Sequence, residues 1–134
     1  DVYKRQTYGD SRIDFYMEKN GEKFLTEVKG CTLADDLHPG IGLFPDAPTE
    51  RGVKHLHELT KAAKEGCHTA IAFVIQMNGI HRVLPNEAAQ PEFKKALVEA
   101  AKAGVQIVCY SCHVEADRVK ITGVIEDTSS YVNM

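Results

Sequence analysis

The sequence predicts a mixed α/β fold, a β-sheet flanked by helices, and three features carry that prediction. Asn20-Gly21 is a tight-turn signal between two segments that alternate apolar and polar residues. Two apolar runs, Thr69 to Met77 and Val105 to Tyr110, are separated by an amphipathic segment that opens on Pro91. A further amphipathic stretch, from about Thr49 to Glu65, lies between the turn and the first of those runs.

In chain order, Asp1 to Gln6 read as a leader that is non-native or cut short, ahead of one domain over residues 7–134. Ser11 to Glu18 reads as a strand, because Ile13, Phe15 and Met17 alternate with Arg12, Asp14 and Tyr16. Lys23 to Thr32 returns after the turn. Phe24, Thr26, Val28 and Gly30 then share one face, and Leu25, Glu27, Lys29 and Cys31 share the other. Asp35 to Pro48, rich in Pro, Gly and Asp, reads as a loop. The helix over 49–65 has an apolar stripe of Val53, Leu56, Leu59 or Thr60, and Ala63, with Gly66 where a left-handed C-terminal cap belongs.

Thr69 to Met77 is apolar almost throughout, which predicts a strand covered on both faces. Phe93, Leu97 and Ala100 form the buried stripe of the second helix, and Gly104 ends it. Strand, helix and strand from Thr69 to Tyr110 make a right-handed crossover, so the two strands run parallel. From Val119 onward, weak strand character gives way to polar residues.

The chain has 134 residues, which suits one domain, and it is 43% hydrophobic and 26% charged, as ordinary globular proteins are. No apolar run approaches the roughly 18 residues of a membrane span, so no membrane contact and a cytoplasmic location are expected. The net charge of −3 means that nucleic-acid binding requires a local basic patch or a metal ion bridging carboxylate to phosphate. Four cysteines, Cys31, Cys67, Cys109 and Cys112, are too sparse for a disulfide scaffold. Cys109-Tyr110-Ser111-Cys112-His113 fits a haem-attachment pattern, yet strand alternation puts Cys109 and Cys112 on opposite faces. No second Cys/His pair is spaced for zinc. These cysteines are expected to pack as small apolar residues. His57, His68 and His81 read as surface or loop residues.

The chemistry concentrates in the hairpin. Phosphodiester hydrolysis uses a divalent metal to polarise phosphate and activate water, and hard cations are held by a few carboxylates and several waters. One strand offers Asp14; the other offers Glu27 and, two residues on, Lys29. The carbonyl of Val28 lies between them and can complete a shell for Mg²⁺ or Mn²⁺ formed with Asp14 and Glu27. Lys29 is placed to orient or deprotonate water, or to stabilise developing charge. Asp14, Glu27 and Lys29 are therefore the candidate catalytic residues.

Asp14 followed by Glu27-Val28-Lys29 resembles the Asp…Glu-x-Lys signature of the restriction-endonuclease-like superfamily. The surrounding blocks are more specific: residues 8–15 (YGDSRIDF), the run from Leu43 to Gly52 (LFPDAPTERG), Lys54-His55-Leu56 and Phe73-Val74-Ile75-Gln76. Together these blocks closely resemble the sugar fermentation stimulation protein family, from about Thr7 to Glu126. That resemblance implies a restriction-endonuclease-like core following a small N-terminal β-barrel, DNA binding, and a link to the control of sugar-utilisation genes. The sequence is expected to lack the barrel and the first core helix.

DNA, contacted with little sequence specificity, is the expected partner, and a homodimer is an open alternative for assembly. Arg12, Arg51, Lys54 and His55 are the candidate DNA-binding residues, with Asp46, Glu50 and Gln76 in support. Arg51 and Lys54 lie where a helix N-terminus attracts phosphate; the plain reading of the same stretch is a solvated helix start capped by Asp46 or Thr49. Arg12 either clamps a phosphate or pairs with a nearby carboxylate. Gln76, at a strand end, either orients water or phosphate or bonds a loop. Three functions remain open from sequence: a Mg²⁺-dependent nuclease, a catalytically silent regulatory DNA-binding module, and an enzyme acting on a small phosphorylated ligand.

Overall fold

The computed structural model describes the backbone of residues 2–8 and 11–134, and side chains from residue 14 onward. Among the described residues, nine strands and two helices follow in chain order: β1 (Val2–Tyr8), β2 (Ser11–Lys19), β3 (Glu22–Cys31), β4 (Leu33–Ala34), β5 (Ile41–Phe44), α1 (Glu50–Lys64), β6 (His68–Ile75), β7 (Arg82–Pro85), α2 (Pro91–Ala103), β8 (Gln106–Val114) and β9 (Val119–Asp127). A short 3-10 turn, Thr128–Ser130, comes after β9.

The main sheet has the order β1-β2-β3-β6-β8-β9, and β4-β5-β7 form a second, smaller sheet. Turn chemistry starts the main sheet. Asn20 and Gly21 have φ of 53° and 79°, the pair of positive values that lets two residues reverse an antiparallel hairpin. β1, β2 and β3 are antiparallel neighbours, β3, β6 and β8 are parallel, and β9 returns antiparallel to β8.

The parallel strands are joined by α1 and α2 in turn. Two right-handed crossovers advancing in the same direction across a sheet put both helices on one face. Accordingly α1 and α2 pack against each other and against the same strand residues. Leu25 and Cys31 of β3, Ile71, Phe73 and Ile75 of β6 and Ile107 and Cys109 of β8 meet Leu56, Leu59 and Ala62 of α1 and Phe93, Leu97 and Ala100 of α2. The opposite face has no helix among the described residues. Ala70, Ala72 and Val74 are only half-buried there, so the apolar run of β6 is covered fully on one side, not both.

Sequence reading also placed 35–48 in a loop, and part of it is strand. Ile41–Phe44 pairs in parallel with Arg82–Pro85, a partner some forty residues away that no local pattern signals. The small sheet is pinned to the core by Phe44, whose ring centroid lies 5.1 Å from that of Phe73 and 5.2 Å from that of Phe93. It is tied to β9 as well: the Val83 N–H donates to Glu126 Oε1 at 2.7 Å, and Arg82 Nε lies 4.0 Å from Glu126 Oε2. Tyr131 closes the same region, its hydroxyl donating to the Val83 carbonyl at 2.8 Å. Tyr131→Phe should cost about 1–3 kcal/mol, read as a shift in urea midpoint, because the buried carbonyl loses its donor.

Helix α1 begins where its cap requires. Thr49 has extended geometry and its hydroxyl accepts from the Gly52 N–H at 2.9 Å, so Thr49 and not Asp46 is the cap. Gly52 is part of the same arrangement. A Cβ there would lie 2.9 Å from Thr49 Cγ2, too close for the cap to keep its place. Thr49→Ala should cost about 1 kcal/mol, measured by thermal unfolding. The buried face of α1 is Gly52, His55, Leu56, Leu59, Thr60 and Ala62, shifted from the expected stripe so that His55 lies inside. At the far end of α2, Gly104 takes φ of 105° as the left-handed cap.

Candidate functional site

The antiparallel register of β2 and β3 decides how the acidic residues meet. Tyr16 lies opposite Leu25 and Phe15 opposite Thr26, and the described ladder ends there. On the same edge of β3, the N–H of Val28 is taken by a side chain: Asp14 Oδ2 accepts from it at 2.9 Å. Asp14 is thus fixed by the backbone that separates Glu27 from Lys29. Strand alternation puts Leu25, Glu27, Lys29 and Cys31 on the helix-covered face, as the hairpin pattern requires.

Glu27 is 1% exposed, and its Oε2 has no hydrogen-bond partner. An ionised carboxylate without partners is costly to bury, so the group shifts its pKa instead. Burial first, and then the adjacent Asp14 carboxyl, raise Glu27 from 4.5 to about 7, with Lys29 pulling the other way. His55, on the second turn of α1, lies against this pair. Its Nδ1 is 3.1 Å from Lys29 Nζ and 3.4 Å from Glu27 Oε2. Burial first, and then the charges of Lys29 and Arg51, lower His55 from 6.5 to about 4. The imidazole is neutral at pH 7. Its Nδ1 accepts from the Lys29 ammonium and has no hydrogen to give to Glu27.

Two carboxylates, one of them buried with an unpartnered oxygen, form a donor set suited to a hard divalent cation. Among the described residues no group of three or more His, Cys, Asp or Glu side chains is arranged to hold a metal. Mg²⁺ does not need one, since it is ordinarily bound by one or two carboxylates with water and substrate phosphate completing the shell. The residues present that could hold such an ion are Asp14 and Glu27, with the Val28 carbonyl beside them.

The remaining candidates fall in different places. Arg51, Lys54, Asp46 and Glu50 are exposed at and before the start of α1, and the Arg51 and Lys54 charges are both felt at His55. His55 itself, read from sequence as a DNA contact, is 5% exposed and turned toward Lys29 and Glu27. Gln76 is exposed and lies over Gly30: its Oε1 would be 3.3 Å from a Cβ at that position, on the face of β3 away from Glu27. The side chain of Arg12 lies outside the described residues. Cys109 and Cys112 are both buried; Cys109 packs in the main core, and Cys112 lies outside that cluster. Burial pushes the Cys109 thiol up to about 12, in keeping with an inert apolar role. Sequence reasoning missed the burial of His55 and of Glu126, since neither lies in a pattern that distinguishes a buried polar residue from a solvated one.

The sequence of this chain matches, over residues 1–118, the family described as the sugar fermentation stimulation protein RE domain. The chain belongs to that family. A relative from Desulfitobacterium hafniense (strain Y51), named a sugar fermentation stimulation protein homolog, is 44% identical over 119 residues, covering 89% of this chain and 51% of the relative. One of the same name from Clostridium botulinum (strain Langeland / NCTC 10281 / Type F) is 41% identical over 125 residues, covering 92% of this chain and 53% of that protein. Among solved structures, Pyrococcus furiosus SfsA, described as in complex with Ca²⁺, superposes with a TM-score of 0.83 at 27% identity, over 92% of this chain and 52% of the other. The chain therefore spans about half the length of the family members it matches. Among the described residues, no helix is long and apolar enough to cross a membrane.

Proposed function

We propose that this chain is the catalytic core of a divalent-cation-dependent DNA phosphodiester hydrolase, within a family linked by name to sugar utilisation. One observation carries the reading: Asp14 is fixed on the backbone beside Glu27 and acts directly on its carboxyl, with Glu27 buried and one of its oxygens unpartnered. In support, a family member of the same fold is described in complex with Ca²⁺, a hard cation with the same preference for oxygen ligands. Mg²⁺ or Mn²⁺ is the proposed cofactor, and it would supply a Lewis acid for the phosphate and a lowered pKa for its water.

The chain's own residues supply the rest. Asp14 and Glu27 would hold the cation through their carboxylates, and the Val28 carbonyl is a further oxygen available to it. Lys29, whose charge acts on Glu27 and whose Nζ meets His55, would orient the attacking water and offset charge building on the phosphate. Arg51 and Lys54 stand at the exposed N-terminal end of α1, where backbone N–H groups and side-chain charge both favour phosphate. With a net charge of only −3, such a local patch gives attraction to the DNA backbone and little reading of bases.

The test is incubation of the family's full-length protein carrying this sequence with supercoiled plasmid and Mg²⁺ or Mn²⁺. Nicking or linearisation that disappears with chelator is expected. Retention of DNA without cleavage would replace the hydrolase with a silent regulatory module built on the same carboxylates. Failure to retain DNA at low salt, with a sugar phosphate raising the melting temperature instead, would point to a small phosphorylated substrate.

A further inference from the structure

We infer that His55 is a positioning residue for this centre: its unprotonated Nδ1 holds the Lys29 ammonium against the Asp14–Glu27 pair. His55 is the one titratable side chain on the buried face of α1, among Gly52, Leu56, Leu59, Thr60 and Ala62. A buried imidazole is destabilising unless its polar atoms are used. The use is visible in the 3.1 Å approach of Lys29 Nζ to Nδ1. A lysine ammonium has donors and no acceptor, so at that distance Nδ1 must carry the lone pair and Nε2 the hydrogen.

The same geometry disposes of two other roles. At 5% exposure the ring cannot lie along a DNA backbone. Nor is Nδ1 free to ligate a cation, because the lysine occupies its lone pair. The contact instead fixes the end of a long, flexible side chain whose reach would otherwise cover many positions. α1 is thereby tied to the chemistry of β3 through one hydrogen bond. The catalytic consequence rests on the proposed hydrolysis, but the contact does not.

Long-range ¹H–¹⁵N NMR of the whole chain at neutral pH, without cation, tests the inference on the unaltered protein. The expected signature is a neutral His55 with Nδ1 unprotonated and Nε2 protonated. An Nδ1–H tautomer or an imidazolium would overturn the proposal. A second measurement follows the Lys29 ε-methylene signals. In His55→Leu, which keeps volume and removes the acceptor, they should move to the averaged position of a free lysine, and Lys29 signals unchanged in a folded His55→Leu would also overturn it. Should His55→Leu fail to fold, the tautomer decides alone. If the wild type cleaves DNA, His55→Leu should lower kcat by about 10- to 100-fold with KM little changed. The expected tautomer in a protein without cleavage would sink the hydrolase and leave the Lys29–His55 contact standing.

Discussion

Lys29→Ala is expected to lower Mg²⁺-dependent DNA cleavage by about 10²- to 10³-fold in kcat, measured under single-turnover conditions. The reason is positional. Lys29 is half-buried beside two carboxylates, and its ammonium is held at 3.1 Å by His55, so it is preorganised before substrate arrives. Such a group gains its effect in the transition state, where charge develops, more than in the bound substrate. Lys29→Ala should therefore leave cation binding and DNA retention nearly unchanged. Lys29→Arg should not restore the rate, because a guanidinium is planar and does not release its proton. Asp14→Ala should abolish cleavage by a different route, loss of the cation. Cleavage that survives both substitutions would remove the centre assigned to Asp14, Glu27 and Lys29.

Glu27→Gln should make the protein more stable and inactive at once. Burial and Asp14 raise the folded-state pKa of Glu27 from 4.5 to about 7. Its contribution to stability is thus fully present below pH 4.5 and is lost as pH rises through 7, a total of about 3 kcal/mol. His55 has the opposite sign. Its folded-state pKa falls from 6.5 to about 4, so its contribution is present above pH 6.5 and lost as pH falls through 4. Between roughly pH 4.5 and 6.5 the two slopes oppose and nearly cancel. In chelator, the wild type should show a shallow profile over that window and a decline as pH passes 7. Glu27→Gln exposes the His55 slope, so its stability should rise with pH by about 1.4 kcal/mol per pH unit over the window. At pH 8 the variant should exceed the wild type by up to about 3 kcal/mol, since position 27 then carries no ionised carboxylate to bury. Urea unfolding at several pH values measures all of this. Added Ca²⁺ should stabilise the wild type alone, and equal stabilisation of Glu27→Gln would remove Glu27 from the cation site.

The hairpin was legible because its signals are local: Asn20-Gly21 fixes the turn, and a period of two then assigns Glu27 and Lys29 to one face. Both helices were legible from their ends, with Gly66 and Gly104 past the last turns and Pro91 at the first. What escaped depends on distance in sequence. Ile41–Phe44 becomes a strand only because Arg82–Pro85 comes beside it, and its Gly and Pro neighbours argue for a loop when read alone. His55 is polar and stands between Lys54 and Leu56, so periodicity puts it at the edge of the apolar stripe. Only the approach of Lys29 and Glu27 makes burial favourable.

Paramagnetic broadening by Mn²⁺, followed in amide and carboxylate NMR signals of the whole chain, tests the central claim most directly. Substoichiometric Mn²⁺ is predicted to broaden Asp14, Glu27 and Val28 first, then Lys29 and His55, and Mg²⁺ or Ca²⁺ should restore the signals by competition. Broadening that begins elsewhere, or that persists at these residues in an Asp14→Asn, Glu27→Gln double variant, would contradict the account.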